Sequence, residues 1–253
     1  GLTRGGMAVE KGTISVQLVG EALLEARRRG LDVAALLERV GLPAQALERP
    51  YGRVPSALYG RLWRALAASM DDEFFGMNAR RMKAGSFAFM AAIALREPTL
   101  GAALERVLAF CGLVFDGLSP RLMQQGSLAE IALDEPDGQH SRAFAYFTLW
   151  LMVHGLLCWL AGRRLPILGI DLRCPAPGYL EDYRVMFCDN LRFERPSSRL
   201  LFNADCLAQP VRRSERELKR FLAGAPANIL VRYRDPQSLG ARIRAYLRSL
   251  SAA

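Results

Sequence analysis

The sequence predicts an α+β fold, a helix-rich domain around a small, mostly antiparallel sheet. Three observations carry that expectation. Apolar residues recur at helical spacing from residue 14 to about 115. The period then changes to strand-like runs on either side of Gly126-Ser127. A long apolar helix over 142–162 separates this hairpin from three further short strand-like runs. Helices first, strands gathered later and helices again at the end differ from the regular alternation of a parallel βαβ sheet.

Taken in order, "ISVQLVGEALLEARRRG" (14–30) reads as an amphipathic helix. "DVAALLERVG" (32–41) follows, with Asp32 as its N-cap and Gly41 as its stop. "LPAQAL" adds a turn, and "VPSALYGRLWRALAASM" (54–70) is a helix with Pro55 in its first turn. "DDEFFGMNARRM" (71–82) reads as a short amphipathic piece. Residues 85–115 read as two apolar helices broken at Pro98, the second capped by Thr99. Runs 121–125 and 128–133 around Gly126-Ser127 form the hairpin. After the long helix, "PILGIDLRC" is a strand, "GYLEDYRVMF" a helix, and "LRF" and "SRLLF" are short strands. Basic helices at about 214–223 and 238–250 finish the chain, with "VRYRDP" opening a linker between them.

With 253 residues, half of them hydrophobic, the chain can bury a substantial core and is not a disordered polymer. "AFAYFTLWLMVHGLLCWLAG" (143–162) is long enough to span a membrane. Thr148, His154 and Gly155 dilute it, and its mid-chain position between strand-like runs favours a core helix buried on all sides. Five isolated cysteines, none in a CxxC pair, fit a reducing compartment, the cytoplasm. "GLTRGG" before Met7 reads as a leftover tag. The net charge is +9, of which +7 lies in residues 211–253. A basic tail is either an electrostatic footprint for nucleic acid or a solvated helical face.

Catalytic signatures are weak. There are two histidines, His140 in a turn and His154 inside the apolar helix, and no HExxH, GxSxG or phosphate-binding glycine loop. The scattered cysteines give no zinc spacing. "DLRC" and "EDYR" carry carboxylates without a second group at acid–base spacing. Residues 32–66 have the outline of a helix-turn-helix. Its second helical segment is short, ends in proline and offers only Arg49 to a base edge, so a structural helical hairpin is the expectation.

The aromatic residues are more informative. Phe87, Phe89, Phe110, Phe115, Phe144, Tyr146, Phe147, Trp150 and Trp159 lie on predicted helices that must pack near one another. Phe147, Trp150, Leu151 and His154 share one helical face. That face is either plain core or the wall of an apolar pocket with His154 as its polar handle. An acidic ligand headgroup would meet Arg121 or Arg173.

"RCPAPGYLEDYRVMFCDNLRFERPSSRLLFNADCLAQPV" (173–211) resembles a block of AraC/XylS-type transcription regulators, in the N-terminal arabinose-binding-like domain. The matching features are the Cys174-Pro175-Ala176-Pro177 turn and a helix centred on Tyr179 and Tyr183. They continue through Met186-Phe187, the Leu191-Arg192-Phe193 strand, the Arg199–Phe202 strand and the Leu207–Pro210 close. Residues 85–117 and 30–55 are similar to two further family segments, and the resemblance covers about 14–236.

The resemblance implies a division into a tag and disordered start (1–13), an effector-binding and dimerisation domain (14–210) and a helix and linker (211–236). Residues 237–253 would begin a DNA-binding domain truncated before its helix-turn-helix. It implies a homodimeric sensor, not an enzyme, with no cofactor, metal or membrane partner. The expected effector is a small apolar or acyl-type molecule held by Phe89, Phe110, Tyr146, Phe147, Trp150, His154, Arg121 and Arg173. DNA would be bound only through the absent domain. The alternative is a constitutive dimerisation module that touches RNA polymerase through its basic helices at 214–248.

Overall fold

The structure is a computed structural model, and it describes residues 12–236 and 239–252. The expected tag and the expected domain boundary at 237 therefore fall largely outside the described residues. The chain opens with β1 (Thr13–Ser15), which the helical periodicity does not announce. β1 pairs antiparallel with β2 (Arg53–Pro55), Ile14 opposite Val54. Between them lie α1 (Val16–Arg28), α2 (Val33–Val40) and a 3-10 turn at Ala44–Glu48. Asp32 caps α2 by accepting from the Ala35 amide at 3.0 Å, and Gly41 ends it at φ 83°. α3 (Ser56–Met70) follows directly from β2.

Residues 71–83 form no helix, contrary to the amphipathic reading of this stretch. The fully buried Asp72 carboxylate accepts from the amides of Phe74 (2.9 Å), Gly76 (3.0 Å) and Met82 (3.1 Å). A short acidic side chain that captures three nearby amides offers the backbone a better arrangement than a helical ladder. The loop drives Phe74, Phe75 and Met82 into the core. α4 (Ser86–Leu95) and α5 (Leu100–Val114) then pack together, α5 capped by the Thr99 hydroxyl.

β3 (Ser119–Gln125) and β4 (Leu128–Asp134) are the expected hairpin. They join β5 (Ile167–Asp171), β6 (Leu191–Arg192) and β7 (Ser198–Asn203) in the order β3-β4-β7-β5-β6. The sheet is mixed: the β5–β6 pair is parallel and the other neighbours are antiparallel. On one face Leu122, Ile131, Leu200 and Ile170 lie in a row. The opposite face carries an ion-pair chain. Asp171 accepts from Arg192 (2.6 Å) and Arg199 (3.0 Å), and Arg199 reaches on to Glu130 (2.9 Å). The "DLRC" carboxylate is thus a strut across four strands.

All of α6 (Ala143–Ala161) is buried, which makes it the central helix and accounts for its membrane-like composition. His154 and Leu157 meet Ile131, Leu200 and Phe202 of the sheet. α7 (Glu181–Met186) covers a second side of α6. Its Asp182 accepts from the Ser15 amide (2.8 Å) and Arg53 (2.6 Å), so the "EDYR" carboxylate ties α7 to the β1–β2 ribbon.

α8 (Glu215–Gly224) starts in a Ser214/Glu217 capping box. Its Phe221 stacks on Trp159 at 4.4 Å between centroids. α9 (Ala227–Arg232) occupies part of the expected linker, and Ile229 and Leu230 are buried. Two glycines make that docking possible. A Cβ at Gly60 of α3 would lie 2.9 Å from the Ala227 Cβ, and one at Gly155 of α6 would overlap Ile229. α10 (Leu239–Ser251) follows, with Tyr246, Leu247 and Leu250 exposed.

Candidate functional site

Where α9 meets α3, α6 and α8, these helices and the start of α4 frame a half-open cavity of about 170 Å³. α3 contributes Trp63, Arg64 and Ala67, and α4 contributes Phe87 and Ala88. Leu151 and Met152 of α6 form one wall; Leu222, Ala225, Pro226 and Ile229 close the other. The space follows from side-chain size. Alanines at 67, 88 and 225 leave it open, while Gly60 and Gly155 let α9 approach close enough to roof it. A volume of about 150 Å³ is enough to hold a benzene-sized ligand.

Trp63 is held in place because its indole N–H donates to the Glu73 carbonyl at 3.1 Å. Two charged groups sit among the lining residues, each on a helix end of opposite sign. The Glu73 carboxylate accepts from the Phe87 amide at 2.8 Å, at the N-terminus of α4. Burial raises its carboxyl above the usual range, opposed by the amides of Phe87, Gly85 and Ser86. The Arg64 guanidinium donates to the carbonyls of Ala225 (2.6 Å), Ala223 (2.5 Å) and Leu222 (3.2 Å), at the C-terminus of α8. The site is therefore an apolar hollow with a fixed anion and a fixed cation in its lining.

The residues singled out from sequence do not gather here. Tyr146 and Arg173 come together at Glu135: the Tyr146 hydroxyl donates to Oε1 at 2.6 Å, and Arg173 lies 3.6 Å from the same oxygen. Arg173 is thereby already paired with a nearly buried carboxylate. Phe147 stacks on Tyr183 at 3.8 Å and on Phe187 at 5.6 Å. Trp150 is fully buried, and its indole nitrogen has no hydrogen-bond partner among the described residues. His154 contacts the Leu165 carbonyl through Nε2 at 2.8 Å, with the Cys158 sulfur 3.3 Å away. Burial pushes its pKa down to about 4, so the ring is neutral at pH 7. Phe89 is 60% exposed and lies 5.8 Å from the half-buried Phe110. Arg121 pairs with Asp134 at 2.6 Å, on the sheet face that carries the ion-pair chain.

Of the residues marked in the sequence, Phe87 and Leu151 line the cavity, Leu151 from the marked face of α6, whereas Trp63, Met152 and Ile229 carried no mark. The available signal was a set of small residues on segments far apart in sequence, Gly60, Ala67, Ala88 and Gly155. Among the described residues no cluster of His, Cys, Asp and Glu could hold a metal ion. Burial pushes the thiols of Cys111, Cys158 and Cys188 up to about 12, which leaves them protonated and unreactive.

Residues 30–211 match the family model of the arabinose-binding domain of AraC transcription regulators, an N-terminal domain. The chain belongs to this family. It is a family of transcription-regulator domains, not of enzymes, and its members' role is that of an effector-binding regulatory domain. The wall of the cavity from Trp63 to Met152 lies inside the matched region of this AraC-type domain. The wall formed by Leu222, Ala225, Pro226 and Ile229 lies beyond it. No curated protein matches the chain. Among solved structures it is similar to the transcriptional regulator CdpR from Pseudomonas aeruginosa. The identity is 16% and the TM-score 0.38, over 93% of this chain and 70% of that one.

Proposed function

We propose that this AraC-type domain is a sensor whose cavity between α3, α4, α6, α8 and α9 takes a small apolar or acyl-type effector. The observation that carries the reading is the hollow itself. It is apolar and framed by well-packed helices, and it offers room for about six carbon atoms. One wall of it, Leu222, Ala225, Pro226 and Ile229, belongs to the α8–α9 segment that leads toward α10. An effector that prefers one packing of α8–α9 would therefore shift how any following segment is presented. DNA binding would reside in helix-turn-helix units C-terminal to this domain, the domain would act as a homodimer, and the setting would be the cytoplasm. No catalysis is assigned. His154, the one buried histidine, is neutral and engaged with a backbone carbonyl.

Thermal denaturation against a library of small apolar compounds tests this. A ligand at a hundred times its Kd stabilises the fold by about 2.7 kcal/mol. That shift should vanish in Ala88→Leu, which fills the cavity. A compound that shifts both proteins equally would bind elsewhere and sink the assignment. The exposed stripe of Tyr246, Leu247 and Leu250 on α10 favours a second reading, an interaction module touching RNA polymerase or another copy of the chain. It predicts a concentration-dependent mass and no thermal shift with any compound.

A further inference from the structure

We infer that the effector is a carboxylate, an apolar tail with an acidic head, and that Arg64 binds the head. The inference rests on the cavity being the effector site. Arg64 is exposed, yet its guanidinium is held in place by the three carbonyls at the end of α8. Those bonds use Nε and Nη2, and Nη1 makes no hydrogen bond to another described residue. No described carboxylate lies within ion-pair distance of Arg64, although Glu73 lines the same cavity. The cation is therefore preorganised, compensated only by the partial charge of a helix terminus, and retains a donor. A carboxylate supplies the missing full charge and accepts from that donor.

Glu73 decides the sign of the headgroup. Its Oε1 already accepts from the Phe87 amide at 2.8 Å, and the Gly85 and Ser86 amides lie at the same helix start. An ammonium head would have to compete with those amides, whereas an anionic head meets an Arg64 that has capacity to spare. Glu73 also repels an anion placed deep in the cavity. The tail therefore goes inward and the head stays at the Arg64 rim. Bound there, the head sits at the junction of the body with α8–α9.

The test compares hexanoate, 1-hexanol and hexylamine, with Kd read by ligand-observed NMR titration on wild type, Arg64→Gln and Arg64→Lys. Hexanoate should bind most tightly to wild type and lose about tenfold or more in Arg64→Gln. 1-Hexanol should bind both alike, and Arg64→Lys should recover part of the loss. Melting curves of the variants establish that each is folded. Hexanoate binding no better than 1-hexanol, or equally to wild type and Arg64→Gln, would overturn the carboxylate inference while leaving the cavity as the site. Tighter binding of hexylamine would overturn it in favour of Glu73. If none of the three binds, the cavity reading falls together with the inference.

Discussion

α6 has two apolar flanks, and they are built differently. Toward α7 and the sheet it carries Phe147 and His154, and the partners leave gaps of only about 10 and 20 Å³: Phe147 stacks on Tyr183 at 3.8 Å. Toward α3, α4 and α9 it carries Leu151, Met152 and Gly155, and the partners leave a cavity of about 170 Å³. Aromatic density therefore marks the packed flank. The hollow lies where small residues from four separate segments meet.

The largest expected effect tests the filled flank. Phe147→Ala removes a buried ring from the Tyr183–Phe187 stack and should cost about 3–5 kcal/mol in urea unfolding. Effector affinity in the still-folded fraction should stay unchanged. Ala88→Leu, on the hollow flank, should do the reverse: little change in stability and loss of binding. If Phe147→Ala costs little while weakening binding, the two flanks have been assigned the wrong way round.

A pH effect of about 3 kcal/mol comes next, from His154. Burial is the main cause of its low pKa of about 4, reinforced by the Arg164 charge and opposed by the Leu165 carbonyl. The unfolded chain binds a proton near pH 6.5 and the folded chain only near 4. Stability is therefore full above about pH 6.5 and falls as pH drops toward 4. Unfolding free energies of wild type and His154→Leu, measured across that window, should differ in slope. Parallel profiles would mean that the ring is not buried neutral. The smallest effect is at Phe89, whose exposed ring leaves Phe89→Ala within about 0.5 kcal/mol of wild type and without effect on binding.

Much of the fold was legible in the sequence because its signals are local. Asp32, Gly41 and Thr99 mark helix ends through bonds to amides three residues on or through a positive φ. Gly126-Ser127 marks a hairpin whose register follows from the turn. The features that escaped depend on distant partners. β1 exists because Arg53–Pro55 returns beside it. The loop at 71–83 exists because Asp72 finds amides up to ten residues away. α9 docks because glycines at 60 and 155 let it. The site follows the same rule. The aromatics were correctly placed on neighbouring helices, but whether a ring faces a gap or another ring depends on residues on other elements, distant in sequence.

An effector seated in the hollow flank must lie against Met152. Met152 lines the hollow, while Met90 and Met186 are buried outside it. The most direct measurement is methyl NMR of the 13C-methionine-labelled protein titrated with hexanoate. The expected result is a saturable shift of the Met152 methyl that is absent in Ala88→Leu. A Met152 methyl that stays fixed while Met186 or Met90 moves would contradict it.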